Sequence, residues 1–224
     1  MIFGFVILLA VTVSAFLFWA SYRIDSGIYL KALCRIDTEK PQVVLTFDDG
    51  PDPVQTPKVL DVLKSAQTPA IFFLVGNRAS LYPDLVRRIV SEGHKIGIHS
   101  YQHQGTFPLS RATAIHEDLQ QCMAVLEQIT GERPTLFRPP FGVTNPPIAR
   151  AVKSLGLRTI GWSVRSYDTC AATPRADVVS RIMRQVSPGD VILLHDNRAD
   201  SEILLCELIR QLQFASYTIT SQLN

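Results

Sequence analysis

The 224-residue sequence has no surplus of either charge: 22 Lys and Arg stand against 20 Asp and Glu, a formal net charge of +2. Without a basic stripe there is no electrostatic footprint for nucleic acid. Cysteine is scarce. Its four copies, Cys34, Cys122, Cys170 and Cys206, form neither a Cys-x-x-Cys nor a zinc-finger spacing. A disulfide-stapled small fold and a structural zinc finger are thereby excluded. Cys122 and Cys206 fall inside apolar helical patterns, which predicts free, buried thiols. Low-complexity tracts and internal repeats are missing too. With 46% hydrophobic and 19% charged residues, the chain can fill one core of ordinary size.

No charged side chain precedes Arg23. From Ile2 to Ala20 only Gly4, Thr12 and Ser14 interrupt an apolar run, which as a helix reaches about 28 Å, close to the hydrocarbon thickness of a bilayer. Trp19 and Tyr22 sit where an interfacial aromatic belt would lie. A cleaved signal peptide is the competing reading; the run lacks a preceding Lys or Arg and a small-x-small cleavage site. The expected organisation is therefore a transmembrane anchor or uncleaved signal over 1–22, a linker over 23–40 and one domain over 41–224. Orientation is contradictory. Arg23, Lys31 and Arg35 all follow the apolar run, which by the positive-inside rule puts the domain in the cytoplasm.

Beyond Pro41, short β-rich runs alternate with helical patterns. Strands are expected at Val43–Phe47, Ile71–Val75, Lys95–His99, Thr135–Arg138, Arg158–Val164, Val191–Leu194 and Tyr217–Thr220. Helices are expected at Thr56–Ser65, Leu81–Ser91, Ala112–Thr130 (stopped by Gly131), Ile148–Leu155, Ala176–Val186 and Ser201–Leu212. Such alternation means parallel strands with right-handed crossovers. Asp48, Asp49, Asn77, His99, Arg138, Arg165 and His195 all follow the carboxyl ends of predicted strands, the rim arrangement of a barrel. The domain is short for eight full units, so the fold class is α/β, a distorted and incomplete (β/α) barrel.

Four segments carry chemistry. In Thr46-Phe47-Asp48-Asp49-Gly50, successive strand side chains alternate, so one carboxylate can ligate a metal while its neighbour faces a reaction centre. A plain Asp-Gly turn is the alternative. In His99-Ser100-Tyr101-Gln102-His103, histidines four apart on a helical turn can converge on one ion. With one carboxylate they make an Asp-His-His set that suits hydrolytic Zn²⁺. In Leu136-Phe137-Arg138-Pro139-Pro140-Phe141-Gly142, the prolines stiffen a loop from which a guanidinium can orient Asp48; a surface Arg in a proline turn is the alternative. Val191 to Asp196 is a buried strand ending in His195, at a place suited to a general acid.

Taken in order, Thr-Phe-Asp-Asp-Gly, His-Ser-x-x-His, Arg-Pro-Pro-Phe-Gly and Leu-x-His resemble the NodB-type polysaccharide deacetylases, carbohydrate esterase family four, over roughly Pro41 to Tyr217. The resemblance implies a distorted (β/α) barrel, a divalent metal and removal of N- or O-acetyl groups from sugars. Zn²⁺ is the expected ion, with Co²⁺ or another divalent ion as alternatives. The resemblance further makes Asp48 the general base and Asp49, His99 and His103 the metal ligands, with Arg138 orienting Asp48. The Phe141 N–H would hold the oxyanion, Leu193 would line the acetyl-methyl pocket, and His195, paired with Asp168, would protonate the leaving amine. It also implies an acetylated glycan partner and a domain on the periplasmic or extracellular side.

One signature departs. Family members commonly read Trp-Ser-x-Asp-x-x-Asp-Trp where this chain has Trp162-Ser163-Val164-Arg165-Ser166-Tyr167-Asp168-Thr169. Arg165 reverses a charge and is expected to meet an anionic group; Thr169 replaces an indole that would wall the substrate groove. Arg165 and Thr169 leave an inactive carbohydrate-binding relative as one rival function; a deformylase or deacylase of a lipid-linked amino sugar is the other, because the anchor would hold the domain beside lipid.

Overall fold

Six of the seven residues of strand β1 (Gln42–Asp48) are buried, as befits a central strand covered on both faces. It is flanked by β2 (Ile71–Leu74), β3 (Lys95–Ile98), β4 (Leu136–Phe137) and β5 (Arg158–Thr159) on one side. On the other lie β7 (Val191–His195) and then β6 (Val164–Arg165). The spatial order is β5-β4-β3-β2-β1-β7-β6, all pairs parallel, and β8 (Thr218–Ile219) joins the start of β1 through Gln42 and Val43. The computed structural model describes residues 2–170 and 173–223; Met1 and Asn224, the outermost residues of the expected divisions 1–22 and 41–224, lie outside the described residues.

Strand alternation sorts the core into two. Val43, Leu45 and Phe47, with Phe72, Leu74, Ile192 and Leu194, face an outer layer of helices. These are α2 (Gln55–Ser65), α3 (Gly76–Leu81), α4 (Pro83–Ser91), α5 (Ala112–Thr130), α6 (Pro146–Ser154), α7 (Arg175–Gln185) and α8 (Ser201–Phe214). Val44, Ile71, Phe73 and Val191 instead meet Ile160 and Ile36 in a smaller interior core. Along that interior column Val44, Thr46 and Asp48 run in register with Val191, Leu193 and His195. The expected incomplete (β/α) barrel is what forms: β5 and β6, consecutive in sequence, are its two edges, and residues 160–163 cross the gap.

That crossing corrects one expectation. A single strand over Arg158–Val164 cannot pair with both edges, so it divides into β5 and β6 on opposite sides of the opening. A second correction concerns Leu81–Ser91: the helix starts at Pro83, and Leu81 instead ends a separate helix, Gly76–Leu81. Pro83 excludes helical backbone at the residue before it, and Tyr82 takes φ −126°, ψ 56°. A third concerns Cys206, which is exposed: the buried stripe of α8 is Leu204, Leu205, Leu208, Ile209 and Leu212, and Cys206 lies off it. Cys122 is buried as expected, and desolvation pushes its thiol well above the usual range.

The first helix, α1 (Ile2–Tyr22), is long and apolar enough to cross a membrane, and its side chains from Phe3 to Trp19 are exposed. Its last turn is different. Ala20 is fully buried, Thr144 donates its backbone N–H to the Ser21 carbonyl at 2.9 Å, and Ser26 Oγ donates to the Ala20 carbonyl at 2.9 Å. Residues 23–40 then lie along the open flank, with Ile24 buried, Leu33 bridged to Ile160 and Arg35 bridged to Asp190.

Candidate active site

Asp48 closes β1 on the interior face; Asp49 follows with φ 73°, in the left-handed region, and turns out onto the rim. The divergence of the two carboxylates is thus completed by the turn rather than by strand alternation alone. Arg78 braces it, Nη1 donating to the Asp49 carbonyl at 2.5 Å. Gly50 is required beneath: a Cβ there would meet the Asp196 carboxylate at 2.5 Å.

His99 and His103 are not on a helical turn. Ser100 (φ 68°) and His103 (φ 50°) give a tight loop after β3, held by Asp118 of α5, whose two oxygens accept the N–H groups of Tyr101 and Gln102 at 2.8 and 3.1 Å. The sequence carried a signal for Asp118: it interrupts the buried stripe of Ile115, Leu119 and Cys122 with an acid. The His99 Nδ1 lies 2.8 Å from the Arg138 carbonyl, an acceptor only, so this nitrogen carries a proton and Nε2 is the one left to ligate. His99 Nε2 is 3.7 Å and His103 Nε2 is 3.3 Å from Asp49 Oδ1. The ligand atoms of Asp49, His99 and His103 all lie within 4.8 Å of one another. Tetrahedral Zn²⁺ with bonds near 2.1 Å sets its donors about 3.4 Å apart, so the residues fit such an ion. Burial, with the neighbouring His99, pulls the His103 imidazole below its ordinary pKa, towards the neutral ligand form. Burial pushes the Asp49 carboxyl up, but His99, His103, His195 and Arg78 outweigh it and hold the group below the carboxylate range.

Arg138 is fully buried, which removes the surface-turn alternative. Its Nη1 donates to Asp48 Oδ1 at 2.8 Å and to Thr46 Oγ1 at 2.7 Å; Nη2 and Nε donate to the carbonyls of Gly161 and Ile160 at 2.7 and 3.2 Å. One guanidinium therefore orients Asp48 and satisfies the backbone crossing the barrel gap. Thr46 was missed from sequence, since a strand threonine has no distinctive signature. Asp48 Oδ2 stays 3.8 Å from His99 Nε2, beside the ligand cluster.

The loop after β4 brings Phe141 over His103, ring centroids 4.9 Å apart. Its turn hydrogen bonds are Gly142 N–H to Pro139 and Val143 N–H to Pro140, and the Phe141 N–H takes no part in them. Phe141 itself has φ 61°, and the Trp162 indole fills the space a Cβ on Gly142 would need. Leu193 is buried on the interior face, level with Thr46 and one step below His195.

Asp48 and His195 are register partners on adjacent strands. Asp168 clamps the histidine twice, Oδ1 at 2.8 Å from Nδ1 and Oδ2 accepting the His195 backbone N–H at 2.8 Å. Burial alone would lower the His195 pKa, but the Asp168 hydrogen bond and charge, with Asp48 and Asp49, raise it above its usual value. If the protonated ring is the acid, activity falls as pH rises through that pKa. Asp168→Asn is accordingly expected to move the alkaline limb of kcat down by about one pH unit and to lower kcat about 10- to 100-fold. A pH profile with an unmoved limb would remove Asp168 from that role. Arg165 is exposed and stacks on Tyr167 (4.9 Å) and Trp162 (5.8 Å); Thr169 is exposed on the following turn.

Asp196 beneath Gly50 is fully buried, and desolvation raises its pKa to about 7 against the Thr56 hydroxyl that donates to it. The native state then keeps a proton that the unfolded chain releases, so stability falls as pH rises from about 4 to 7, by up to about 4 kcal/mol. Asp196→Asn is expected to raise the melting temperature at pH 8 and to change it little at pH 4. Parallel wild-type and variant melting curves across pH measure this.

An incomplete parallel barrel with two carboxylates, two imidazoles, a buried arginine and an acid-clamped histidine on one rim defines a carbohydrate-ester or amide hydrolase. The chain belongs to the polysaccharide deacetylase family, whose model matches residues 35–160. It is similar to the chitooligosaccharide deacetylase of Sinorhizobium fredii, 35% identical over 176 residues that cover 78% of this chain and 81% of the relative. Among solved structures it resembles the peptidoglycan deacetylase PdaC of Bacillus subtilis, with TM-score 0.76, 32% identity and coverage of 84% and 92% of the two chains. It also resembles a family 4 acetyl xylan esterase of Clostridium thermocellum in complex with a cobalt ion, with TM-score 0.74, 31% identity and coverage of 80% and 87%. The chain is a hydrolase of this kind.

Proposed function

We propose that this chain is a metal-dependent deacetylase that takes N-acetyl groups, with O-acetyl as the alternative, from an envelope or extracellular polysaccharide or oligosaccharide. The observation that carries the reading is the cluster of Asp49, His99 and His103 beside an unligated Asp48, with the Asp168–His195 pair on the adjoining strand. The relatives support the substrate class: one acts on chitooligosaccharide and another on peptidoglycan.

A divalent ion held by Asp49, His99 and His103 supplies Lewis-acid polarisation of the acetyl carbonyl and activation of water. Zn²⁺ suits the donor set, and the related cobalt complex makes Co²⁺ the first alternative. Asp48, oriented by Arg138, accepts the proton of the attacking water. The Phe141 N–H donates to the carbonyl oxygen as negative charge collects there, stabilisation that needs no reorganisation because the turn already fixes the amide. Leu193 lines the space for the acetyl methyl. His195, its Nδ1 proton held by Asp168, donates from Nε2 to the departing nitrogen, leaving acetate and a free amine. Arg165 and Thr169 shape the far wall of the groove, where the family's usual acid and indole are replaced.

We further read 1–22 as a membrane anchor, 23–40 as the connection and 41–224 as the catalytic domain, on the periplasmic or extracellular side where acetylated polymers lie. Full-length protein in detergent, supplied with Zn²⁺, is expected to release acetate from N-acetylated chitooligosaccharides or peptidoglycan fragments. Absence of acetate from every acetylated glycan would overturn the reading.

A further inference from the structure

Strands β1 and β7 stop pairing at Asp48 and His195, and from there the two chains part, one into α2 and the other into α8. The base and one metal ligand of the reading above stand on the first chain, the acid on the second. The sheet's backbone hydrogen bonds end level with the reacting groups, so their spacing depends on what joins the two chains beyond the last pair.

Two residues directly after His195 make that junction. Asp196 is fully buried beneath Gly50, where a Cβ would come within 2.5 Å of its Oδ2, and that oxygen accepts from the Thr56 hydroxyl at 2.5 Å. Thr56, fully buried in the first turn of α2, accepts the Asp52 N–H through the same oxygen at 2.8 Å. Gly50 is held from the β2 side as well, its carbonyl accepting the Val75 N–H at 2.8 Å. Asn197 Nδ2 then donates to Asp49 Oδ2 at 3.4 Å, which leaves Oδ1 to face His99 and His103. One hydroxyl thus staples the end of β7 to the turn that follows Asp48 and Asp49, across 140 residues of sequence.

As a stabilising device the staple is poor. Asp196 Oδ1 is buried with no hydrogen-bond partner among the described residues, and a buried carboxyl left half-satisfied costs more than an apolar side chain in its place. Groups that break the packing rules in this way gather where geometry serves the chemistry. Here the chemistry needs a distance. Proton removal from water and proton delivery to nitrogen act at one carbon, and a 1 Å error between such groups costs about 100-fold.

We propose that Thr56 and Asp196 are positioning residues that set the distance between the Asp48–Asp49 half of the site and His195, and so govern protonation of the leaving nitrogen. Both are fully buried, so they act through those neighbours and not on substrate. The proposal rests on the deacetylase reading, with His195 as its acid, and adds the device that holds that acid in place.

The test gives two substrates to full-length protein supplied with Zn²⁺. One is the N-acetylated glycan that the wild type turns over faster, chitotetraose or peptidoglycan fragments. The other is 4-nitrophenyl acetate, whose aryloxide departs without a proton. Thr56→Val is expected to lower kcat on the glycan by about 30- to 100-fold with KM within about threefold, and kcat on the ester by no more than about threefold. Thr56→Ser keeps the hydroxyl and is expected to restore most of the loss. Asp196→Ala removes the acceptor instead of the donor and should reproduce the same split. It also keeps the test open if Thr56→Val, which strands a buried carboxyl and the Asp52 N–H, fails to fold. The double variant should lose no more than the worse single one, because a single bond cannot be lost twice. Equal losses on glycan and ester, or no loss on either, would reduce the pair to general structure and overturn the proposal. Multiplying losses in the double variant would overturn the staple as a unit. A wild type that cleaves the ester but no acetylated glycan would sink the deacetylase reading, and the staple's role with it.

Discussion

Asp48→Asn is expected to lower kcat for acetate release by about a thousandfold while the protein still binds one divalent ion per chain. The separation is what distinguishes a base from a ligand. Asparagine keeps an oxygen to accept from Arg138 Nη1, now at 2.8 Å from Asp48 Oδ1, but has no carboxylate to take the proton. The proposed metal set would lose nothing, because Asp49, His99 and His103, the donors that could hold the ion, are untouched. Some stability goes. Arg138 remains fully buried with its charge facing an amide, and weakening a charge-assisted hydrogen bond costs about 1–3 kcal/mol. The fold should survive this, since Thr46 Oγ1 and the Ile160 and Gly161 carbonyls still accept from the same guanidinium. Metal content by atomic absorption, a melting curve and steady-state kinetics on one preparation check the three parts together. Near-normal turnover in this variant would show that another group accepts the proton.

How much of this was readable in the chain differs by level. Part of the rim was legible because two of its residues directly follow strands whose apolar pattern is strong: Asp48 after Val43-Val44-Leu45, His195 after Val191-Ile192-Leu193-Leu194. Where the pattern was short or interrupted, the reading failed. Residues 158–164 look like one strand because local composition cannot report that an incomplete barrel has two edges, and only the sheet order separates β5 from β6. The helix break at Tyr82 was signalled by Pro83, but the apolar periodicity on either side outweighed it. The loop carrying His99 and His103 depends on left-handed Ser100 and on Asp118 sixteen or more residues away, so a spacing of four resembled a helical turn. Arg138 shows the same limit from the other side. Its burial follows from carbonyls at 160 and 161 that need donors, a demand created by the barrel gap and invisible at position 138.

Removing the metal is expected to abolish turnover altogether. Dialysis against a chelator should bring acetate release to about 1% of the starting rate or less, and Zn²⁺ or Co²⁺ should restore it. The physical reason lies in what the three donors do without an ion. With Nδ1 held by the Arg138 carbonyl, His99 turns Nε2 towards Asp49 at 3.7 Å, so ring nitrogens and a carboxylate oxygen converge on one point. An ion between them converts a cluster of lone pairs into a compensated site, so binding also stabilises the fold. At a thousandfold excess over Kd the gain is about 4 kcal/mol, visible as a higher melting temperature. His103→Ala removes one of three donors and is expected to weaken the ion by at least about 100-fold, erasing that thermal shift at micromolar Zn²⁺. The thermal readout is independent of catalysis: a chelator-treated wild type whose melting curve ignores added Zn²⁺ and Co²⁺ would show that Asp49, His99 and His103 hold no metal, whatever the activity assay reports.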